Sequence, residues 1–411
     1  MKIAFLSEYF YPFEFGGSEI STFLLGKELS KKNVNVTVIA PNFGSRNEEK
    51  ISGFKIIRYP FPKKVKTKPL TPFWHTSIAL NIYRVISIII ICKKEKINLL
   101  HIHEKYLLPA GAIAAKVLNI PFIVTLRDYQ ALCNLGFCIN KKRNYKRCSA
   151  LYFWKNEVSY FLKNYSSGKT TFLLPLKLLL LLRGRIIAGI YSYFITWANQ
   201  VICISQKQKL IYESNGYKNI SVIYNISEFP NRKVSVKKEN YILYVGKQSL
   251  GKGTDLLMDA AKILEKKFPK LLIKLIGQTS DSALNRVIPK NVKFVSKVPH
   301  GELSKIYQEA LLTVVPSRWE EPFGRVALES LSNNTPVIAT NKGGLPEIVQ
   351  SGLTGLIVGP NSKKLAGAIE TALNDLPKLE KNIRGKLPAL KKKFLLDPVS
   401  QHIRLYHSLI K

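Results

Sequence analysis

Acidic residues are scarce in this chain, and cysteine and methionine are scarcer still. Its 411 residues contain 27 Asp and Glu against 63 Lys and Arg, which gives a net charge of +36. Such an excess needs a polyanionic partner, which is nucleic acid, anionic lipid or a phosphorylated ligand, and the charge alone does not choose among them. The five cysteines are odd in number and irregularly spaced. They argue against a disulfide framework and favour a reducing compartment.

The length and the start of the chain set further bounds. A chain of 411 residues is too long for one ordinary α/β domain and fits two, and its hydrophobic content of 46% supports full-sized cores. The first predicted strand begins at Lys2, so no secretory signal is expected before it.

Strands and helices alternate along the first half. Predicted strands cover residues 2–6, 34–38, 99–102 and 122–126. A helix with apolar residues at helical spacing follows the first strand, after the glycines Gly16 and Gly17. This alternation predicts a parallel sheet with helices on both faces.

The same pattern restarts after a polar stretch at residues 227–240, with strands predicted at 241–245, 271–276, 311–315 and 336–339. The fold class is therefore α/β, with two tandem Rossmann-like, doubly wound parallel-sheet domains facing a central cleft. We place the domains at residues 1–228 and 241–395, joined by a linker at 229–240. An amphipathic helix at 396–411 is expected to pack back on the N-terminal domain.

Two glutamates near the end of the second domain have an informative spacing. Glu321 and Glu329 flank Gly324, which is suited to start a helix from a loop. Glu321 then lies just before the helix and Glu329 in its second turn, on the same face, while the N–H groups of the first turn point at an anion. This arrangement suits a polyhydroxylated ligand that carries a phosphate. An acidic helix start, which the helix dipole favours, is the simpler alternative.

Three glycine-containing loops follow predicted strands. Gly16 and Gly17 allow a phosphate to approach the backbone, although a tight turn explains them equally well. The loop from Gly246 carries Lys247 and Lys252, which are suited to neutralise a departing diphosphate. It is not a Walker loop, and a solvated basic turn is the alternative. The third loop, at residues 341–349, is explained equally well as a turn.

The order of these motifs resembles that of the retaining glycosyltransferases of the GT-B fold, the group-1 or family 4 type that includes sucrose and glycogen synthases. The likeness runs from Lys2 to Lys411 and is strongest over residues 241–359. It implies an enzyme that transfers a hexose from a nucleotide-diphosphate sugar with retention of configuration. It also implies that no metal or other cofactor is needed, because lysines and helix dipoles stabilise the diphosphate.

The resemblance also implies roles for individual residues. Glu321 matches the glutamate that holds the donor sugar, and Glu329 the one that binds the ribose. Lys252, and Lys247 in place of the usual arginine, match the residues that grip the diphosphate; lysine keeps the charge but loses the bidentate fork. The remaining donor-binding residues implied are Gly16, Gly17, Gly246, Phe323, Gly324, Arg325 and Val326.

One position departs from the family pattern. Arg127-Asp128 follows the strand at 122–126, where the family often has His-Asp. Arg127 is a candidate catalytic residue at this position, with Glu321, Lys252 and Lys247, although arginine does not act as a base near neutral pH. Because the leaving phosphate is thought to accept the proton in this family, the loss of the histidine leaves catalysis possible but puts the donor sugar in doubt. Asp128 and His103 are candidate residues on the acceptor side, although paired histidines such as His101 and His103 are more often structural.

Two regions suggest other contacts. Cys133, Cys138 and Cys148 lie in a basic loop and suit a zinc site only in part, because a fourth ligand at regular spacing is missing. Leucine-rich stretches at 172–182 and 186–197, interrupted by cations, are too short to span a bilayer and favour an interfacial helix or a shallow hairpin; a buried insertion is the alternative. The stretch at 78–92 is predicted to be a core helix.

The function expected is transfer of a hexose to a lipid-linked or polysaccharide acceptor at the cytoplasmic face of the membrane, with the enzyme peripheral on an anionic surface. A soluble α-glucan or sucrose-type synthase is an alternative that predicts full activity without lipid. A nucleic-acid-binding protein is a further alternative, but the chain lacks a recognised nucleic-acid motif, so no nucleic-acid partner is expected. An inactive membrane scaffold is the last, and Arg127 keeps it open.

Overall fold

The computed structural model of the chain describes residues 1–65, 70–71, 74–75, 77–133, 136, 145, 150–159, 174–230, 236–278, 288–296 and 298–410. The chain forms two compact units. One contains the described residues up to 226 together with 396–410, and the other contains Ser227–Leu395.

The first unit is built on a sheet that has eight strands among the described residues, in the order β3-β4-β2-β1-β5-β6-β7-β8. All neighbouring pairs are parallel except β3 with β4. The strands are β1 Lys2–Leu6, β2 Asn35–Asn42, β3 Glu48–Ile51, β4 Phe54–Pro60, β5 Leu99–Ile102, β6 Phe122–Leu126, β7 Gln200–Cys203 and β8 Ile220–Val222. The central strands are apolar on both faces because helices cover both.

Helices of the first unit include α1 Gly17–Ser30, α2 Ile78–Glu95, α3 Leu108–Leu118, α4 Leu174–Ile195 and α5 Gln206–Glu213. Helices α2, α3 and α4 pack side by side, α2 on α3 and α3 on α4. Their inner residues share one core with the sheet face that carries Ala4, Leu6 and Ile102. The opposite sheet face carries Phe5, His101 and Thr125.

The second unit is built on a parallel sheet with six strands in the part of the chain that is described, ordered β11-β10-β9-β12-β13-β14. The strands are β9 Tyr241–Val245, β10 Leu272–Ile276, β11 Val292–Val295, β12 Leu312–Val315, β13 Val337–Thr340 and β14 Gly355–Val358. The helices are α6 Thr254–Lys267, α7 His300–Glu309, α8 Arg325–Ser332, α9 Leu345–Ile348, α10 Ser362–Asn374 and α11 Leu376–Lys391. Strand order reverses between β9 and β12, which places a ligand-binding switch point at their carboxyl ends.

The last helix, α12 (Asp397–Leu409), belongs to the first unit and packs against α1. Tyr406 is fully buried there, and its hydroxyl lies 2.8 Å from Nδ1 of His101 on β5. The polar contact fixes the register of an otherwise apolar helix–sheet interface.

Helix α2 differs from the predicted core helix on half of its surface. Its inner face is buried as expected, and Arg84 on that face donates from Nη2 to Oε1 of Glu8 at 2.8 Å, with both side chains inaccessible to solvent. The prediction is wrong for the outer face, which is exposed at Ile78, Ile82 and Ile86 among others. The core lies on one side of the helix only.

The described parts of the two leucine-rich stretches, which were predicted as separate pieces, belong from Leu174 to Ile195 to one continuous helix, α4, which runs through Arg183 and Arg185. The described part of the second stretch is therefore not the returning arm of a hairpin. Across the described ranges, no helix combines the length and the apolar character needed to traverse a membrane.

Candidate active site

Glu321 is held by a ring of donors at the loop that precedes α8. Nζ of Lys252 lies 2.8 and 2.9 Å from its two carboxylate oxygens. Oε2 also accepts hydrogen bonds from Ser317 Oγ at 2.9 Å and from the Trp319 indole N–H at 2.8 Å. The Lys252 ammonium is 4.6 Å from the centroid of the Trp319 ring, a cation–π distance.

This environment keeps Glu321 ionised. Burial by itself raises the pKa of a carboxyl group, but the charge of Lys252 and the hydrogen bonds from Lys252, Trp319 and Ser317 outweigh it, so the pKa of Glu321 lies below its ordinary value. The predicted glutamate and the predicted lysine are therefore brought together as an ion pair. Ser317 and Trp319 were not predicted, although both belong to the same peptide as Glu321.

Two glycines allow the backbones around this pair to pack closely. Gly253 has φ of +71°, and a Cβ there would stand 1.8 Å from the Pro316 carbonyl oxygen. Gly343 has φ of +58°, and its Cβ would stand 1.9 Å from the carbonyl oxygen of Glu321. Gly344 N–H donates to that same oxygen at 2.8 Å. The loop at 341–349 therefore packs closely against the loop that carries Glu321 and donates a hydrogen bond to it, so it is more than a simple turn.

Glu329 lies in the second turn of α8, as predicted, and is buried. Its Oε1 accepts from Arg325 Nε at 2.6 Å and lies 3.1 Å from Nε2 of His300, while Oε2 accepts from the Tyr307 hydroxyl at 3.0 Å. Burial raises the pKa of Glu329, but Arg325 and His300 lower it by more, so the pKa lies below its ordinary value. His300 and Tyr307 come from α7, and no spacing in the sequence indicates that they meet Glu329.

The two predicted lysines have different surroundings. Lys247 follows β9 and Gly246, and its side chain is exposed without a carboxylate partner among the described residues. Lys252 is paired with Glu321. Gly246 and Gly277 both have positive φ, and a Cβ on Gly277 would stand 2.2 Å from the Gly246 carbonyl oxygen. These glycines bring the ends of β9 and β10 together and leave Lys247 pointing outward.

The start of α8 presents backbone N–H donors at a position between Glu321 and Glu329 in the chain. Gly324 caps the helix with φ of +108°, which a residue with a Cβ adopts only with strain. Phe323, just before it, is buried. The N–H groups of Arg325 and Val326 lie in the first turn, where a helix offers no intrahelical acceptor, and an anion is favoured at such a position.

In the first unit, the Gly16–Gly17 loop meets two carboxyl groups. Gly16 N–H donates to Oε2 of Glu19 at 3.1 Å, and Ser18 Oγ donates to Oε1 of Glu104 at 2.5 Å. Burial first, and then the charge of Glu19, raise the pKa of Glu104 to about 8. Burial also raises the pKa of Glu19. The first N–H of the predicted phosphate loop is therefore occupied by a protein carboxylate, which sequence reasoning did not anticipate.

Arg127 is half-buried and contacts three polar side chains at the end of β6. Its guanidinium donates to Asn225 Oδ1 at 2.8 Å, to His103 Nδ1 at 3.0 Å and to Thr22 Oγ1 at 3.3 Å. Because arginine only donates, Nδ1 of His103 accepts. The neighbouring Asp128 accepts from Lys105 Nζ at 2.5 Å.

The rings of His101 and His103 lie side by side, with centroids 3.8 Å apart. His101 contacts Tyr406 and Thr125 and is part of the core. Burial lowers the pKa of both histidines well below the ordinary value, with smaller contributions from neighbouring histidines and Arg127. Both rings are therefore neutral near pH 7, and both are buried.

The described residues contain no group of three or more potential metal ligands. Of the three cysteines in the predicted basic loop, Cys133 lies within the described residues and is half-buried. Cys138 and Cys148, with the basic residues between them, lie outside the described residues.

Comparison with protein families matches almost the whole chain. The model of Glycosyltransferase Family 4 covers residues 15–226, and the model of Glycosyl transferases group 1 covers residues 225–386. An uncharacterised glycosyltransferase of Methanocaldococcus jannaschii is 28% identical over 372 residues, which is 88% of this chain and 85% of that protein.

Solved structures of similar fold include the sucrose-phosphate synthase of Thermosynechococcus elongatus. It superposes with a TM-score of 0.73 at 20% identity and covers 99% of this chain and 98% of its own. Anabaena HepE in complex with UDP-glucose superposes with a TM-score of 0.65 at 17% identity, covering 99% of each chain. At these identities the likeness establishes the fold.

Proposed function

Since this chain belongs to Glycosyltransferase Family 4 and is a glycosyltransferase of the GT-B fold, we propose that it transfers a hexose from a nucleotide-diphosphate sugar with retention of configuration. The acceptor is a lipid-linked sugar or a growing polysaccharide. The reaction takes place on the cytoplasmic face of the membrane, where the enzyme is peripheral. The contact between Lys252 and Glu321 carries the donor part of this proposal.

The donor diphosphate replaces Glu321 as the partner of Lys252. Without the donor, the lysine is neutralised by the carboxylate at 2.8 Å. A diphosphate offers a larger negative charge, and exposed Lys247 adds a second cation to it. Glu321 is then free to accept hydrogen bonds from sugar hydroxyls. The pair therefore links diphosphate binding to sugar binding in one exchange of partners.

The nucleoside and phosphates are proposed to occupy the start of α8. Backbone N–H groups of Arg325 and Val326 bind a phosphate oxygen. Glu329 accepts from the ribose hydroxyls, which replace one of its present donors, and His300 is the most exposed of these. HepE binds UDP-glucose, and this supports a nucleotide-sugar donor of the UDP, GDP or ADP type here.

In the reaction, the bond between the anomeric carbon and the diphosphate oxygen breaks. The acceptor hydroxyl oxygen forms the new bond to that carbon on the same face, and its proton goes to the leaving phosphate. Lys247 and Lys252 stabilise the charge that builds on the diphosphate. Arg127 does not act as a base, so Arg127 and Asp128 are proposed to position the acceptor. The proposed reaction requires no metal.

Gly16 and Gly17 are proposed to bind a substrate phosphate in the first unit, where the phosphate would replace Glu19 as the acceptor of the Gly16 N–H. Because the pKa of Glu104 is raised to about 8, this carboxyl carries a proton near pH 7. The proton lowers the repulsion that a phosphate would meet at the start of α1. Basic residues near the leucine-rich α4 favour an acceptor presented by a membrane.

The test is nucleotide release from UDP-, GDP- and ADP-sugars by the purified protein, with and without anionic vesicles carrying extracted lipid acceptors. We expect release from one donor, an increase with the lipid acceptor, and loss of release in Glu321→Ala. Release that is equal in wild type and Glu321→Ala would overturn the assignment of this site. Activity on glucan acceptors without lipid would overturn the membrane acceptor alone.

A further inference from the structure

Helix α2 carries an uninterrupted apolar stripe on its outer face. Ile78, Ile82, Ile86 and Ile90 recur every fourth residue and lie on one side of the helix. Their side chains are 50–79% exposed. Single exposed isoleucines need no explanation, but four in register along one helix face are unusual on the surface of a protein that stays in water.

The two neighbouring helices extend this stripe into a surface. Helix α3 exposes Ile113 and Val117, and α4 exposes Ile186, Ile190 and Tyr193. All three helices bury their inner faces in one core on the same face of the sheet. Their outer faces therefore point away from the sheet on the same side. We call this surface the three-helix face, defined by the exposed apolar residues of α2, α3 and α4.

Cations and aromatic residues lie at one end of the three-helix face. Each of these helices leads into a parallel strand, so their C-terminal ends share one edge. Lys93, Lys94 and Lys96 stand at that end of α2, and Lys116 at that end of α3, all exposed. Trp197 follows the end of α4. An apolar surface with lysine and aromatic residues at its margin matches the chemistry of a bilayer interface.

The charge complements a membrane better than a second copy of the chain. Two copies of a chain with a net charge of +36 repel one another, which disfavours a second copy as the occupant of this face. Anionic lipid headgroups instead attract each cation near the surface. Apolar side chains at the same time leave water for the boundary between headgroups and acyl chains.

We propose that the three-helix face is the membrane-docking surface of this enzyme and binds anionic bilayers, with α2 contributing as much as the leucine-rich α4. The inference rests on the proposed function for its location at a membrane and names the surface responsible. Docking through three helices that share one rigid core fixes the orientation of the first unit on the bilayer, which a single flexible anchor does not do.

The test is co-sedimentation of the purified full chain with vesicles of phosphatidylcholine containing 30% phosphatidylglycerol. We expect Ile82→Glu/Ile86→Glu and, separately, Ile186→Glu/Ile190→Glu to lower the bound fraction at least tenfold at limiting lipid. The matched control is Ile263→Glu, which changes an exposed isoleucine on α6 of the second unit. Lys93→Gln/Lys116→Gln is expected to remove the preference for phosphatidylglycerol over pure phosphatidylcholine.

Circular dichroism of each variant establishes that it is folded, and the positions are exposed, so folding is expected. Equal sedimentation of wild type and both double variants, or no binding by wild type, overturns the inference. So does a wild-type dimer in solution that both double variants disrupt without any vesicle binding. Nucleotide release with a water-soluble acceptor separates this inference from the proposed function. Transfer without vesicle binding overturns only the docking surface. Vesicle binding without transfer overturns only the proposed reaction.

Discussion

Lys252 and Glu321 stand 69 residues apart in the chain, and yet the lysine ammonium contacts both oxygens of the carboxylate, at 2.8 and 2.9 Å. The two side chains come from loops after β9 and β12, the adjacent strands at which the order of the sheet reverses. A switch point of this kind is where parallel sheets bind ligands. The pair thus occupies the expected position for a donor site in the second unit.

Removal of either member of this pair is expected to lower hexosyl transfer at least about a hundredfold, because charge that develops on the diphosphate loses its stabilisation. Glu321→Ala and Lys252→Ala are compared by kcat/KM for nucleotide release. The control is Lys267→Ala, which breaks an exposed ion pair with Glu370 in the same unit and should leave the rate unchanged. Turnover near wild type in both loop variants contradicts the assigned roles.

Gly343→Ala is expected to destabilise the second unit by more than about 2 kcal/mol, because it combines positive φ with a backbone clash. The added Cβ would stand 1.9 Å from the Glu321 carbonyl oxygen, so transfer should fall as well. Thermal unfolding measures the first effect. Gly367→Ala, in α10 with open space around it, is the matched control and should be neutral or stabilising. Similar melting temperatures for the two variants would rule out the clash.

Glu104 is expected to make the first unit less stable as the pH rises. Its pKa is about 8 in the folded protein against 4.5 as the ordinary value. Between these values the folded state holds a proton that the unfolded state has lost, so the free energy of unfolding falls with rising pH. One proton sets an upper limit of about 1.4 kcal/mol per pH unit, and partial exposure of the side chain reduces it.

Urea denaturation at pH 5, 6.5 and 8 checks this dependence. Wild type should lose stability over the range, and Glu104→Gln should lose less, with its advantage largest at pH 8. Glu302→Gln, at an exposed position in α7, should follow wild type. A wild-type stability that rises steadily from pH 5 to 8 by the same amount in all three proteins would mean that Glu104 ionises normally.

Loss of one partner from the buried pair of Glu8 and Arg84 is expected to cost about 3–5 kcal/mol, since it leaves an uncompensated charge in the core. Both side chains are inaccessible to solvent. Arg84→Met and Glu8→Gln are each compared with the double variant by urea denaturation. The double variant should be more stable than the sum of the two losses implies. Additive losses would show that the two charges do not compensate each other.

Much of the central architecture could be predicted from the sequence. Strands β1, β5, β6 and β9 form at the predicted residues, because each is a short apolar run that ends at polar or glycine residues. The helix between Glu321 and Glu329 also forms as predicted, with Gly324 as its cap. These features depend on residues close together in the chain, which a single sequence records directly.

The spacing of residues in the sequence does not reveal contacts between segments that are distant in the chain. His300 reaches Glu329 from α7, and Glu104 faces Glu19 across a strand-to-helix turn. The outer face of α2 was missed for a different reason. An apolar helix with isoleucines on all sides is typical of a buried helix, and only the fold determines which side the core occupies.

The return of α12 to the first unit has a consequence for synthesis of the protein. Tyr406 and His402 complete the packing around His101, yet Tyr406 is translated 305 residues later. During translation, β5 therefore emerges before α12 is available to pack against His101, and Ser227–Leu395 of the second unit are also made before α12. The first unit is therefore completed last. A chain that ends before α12 would leave the packing around His101 incomplete.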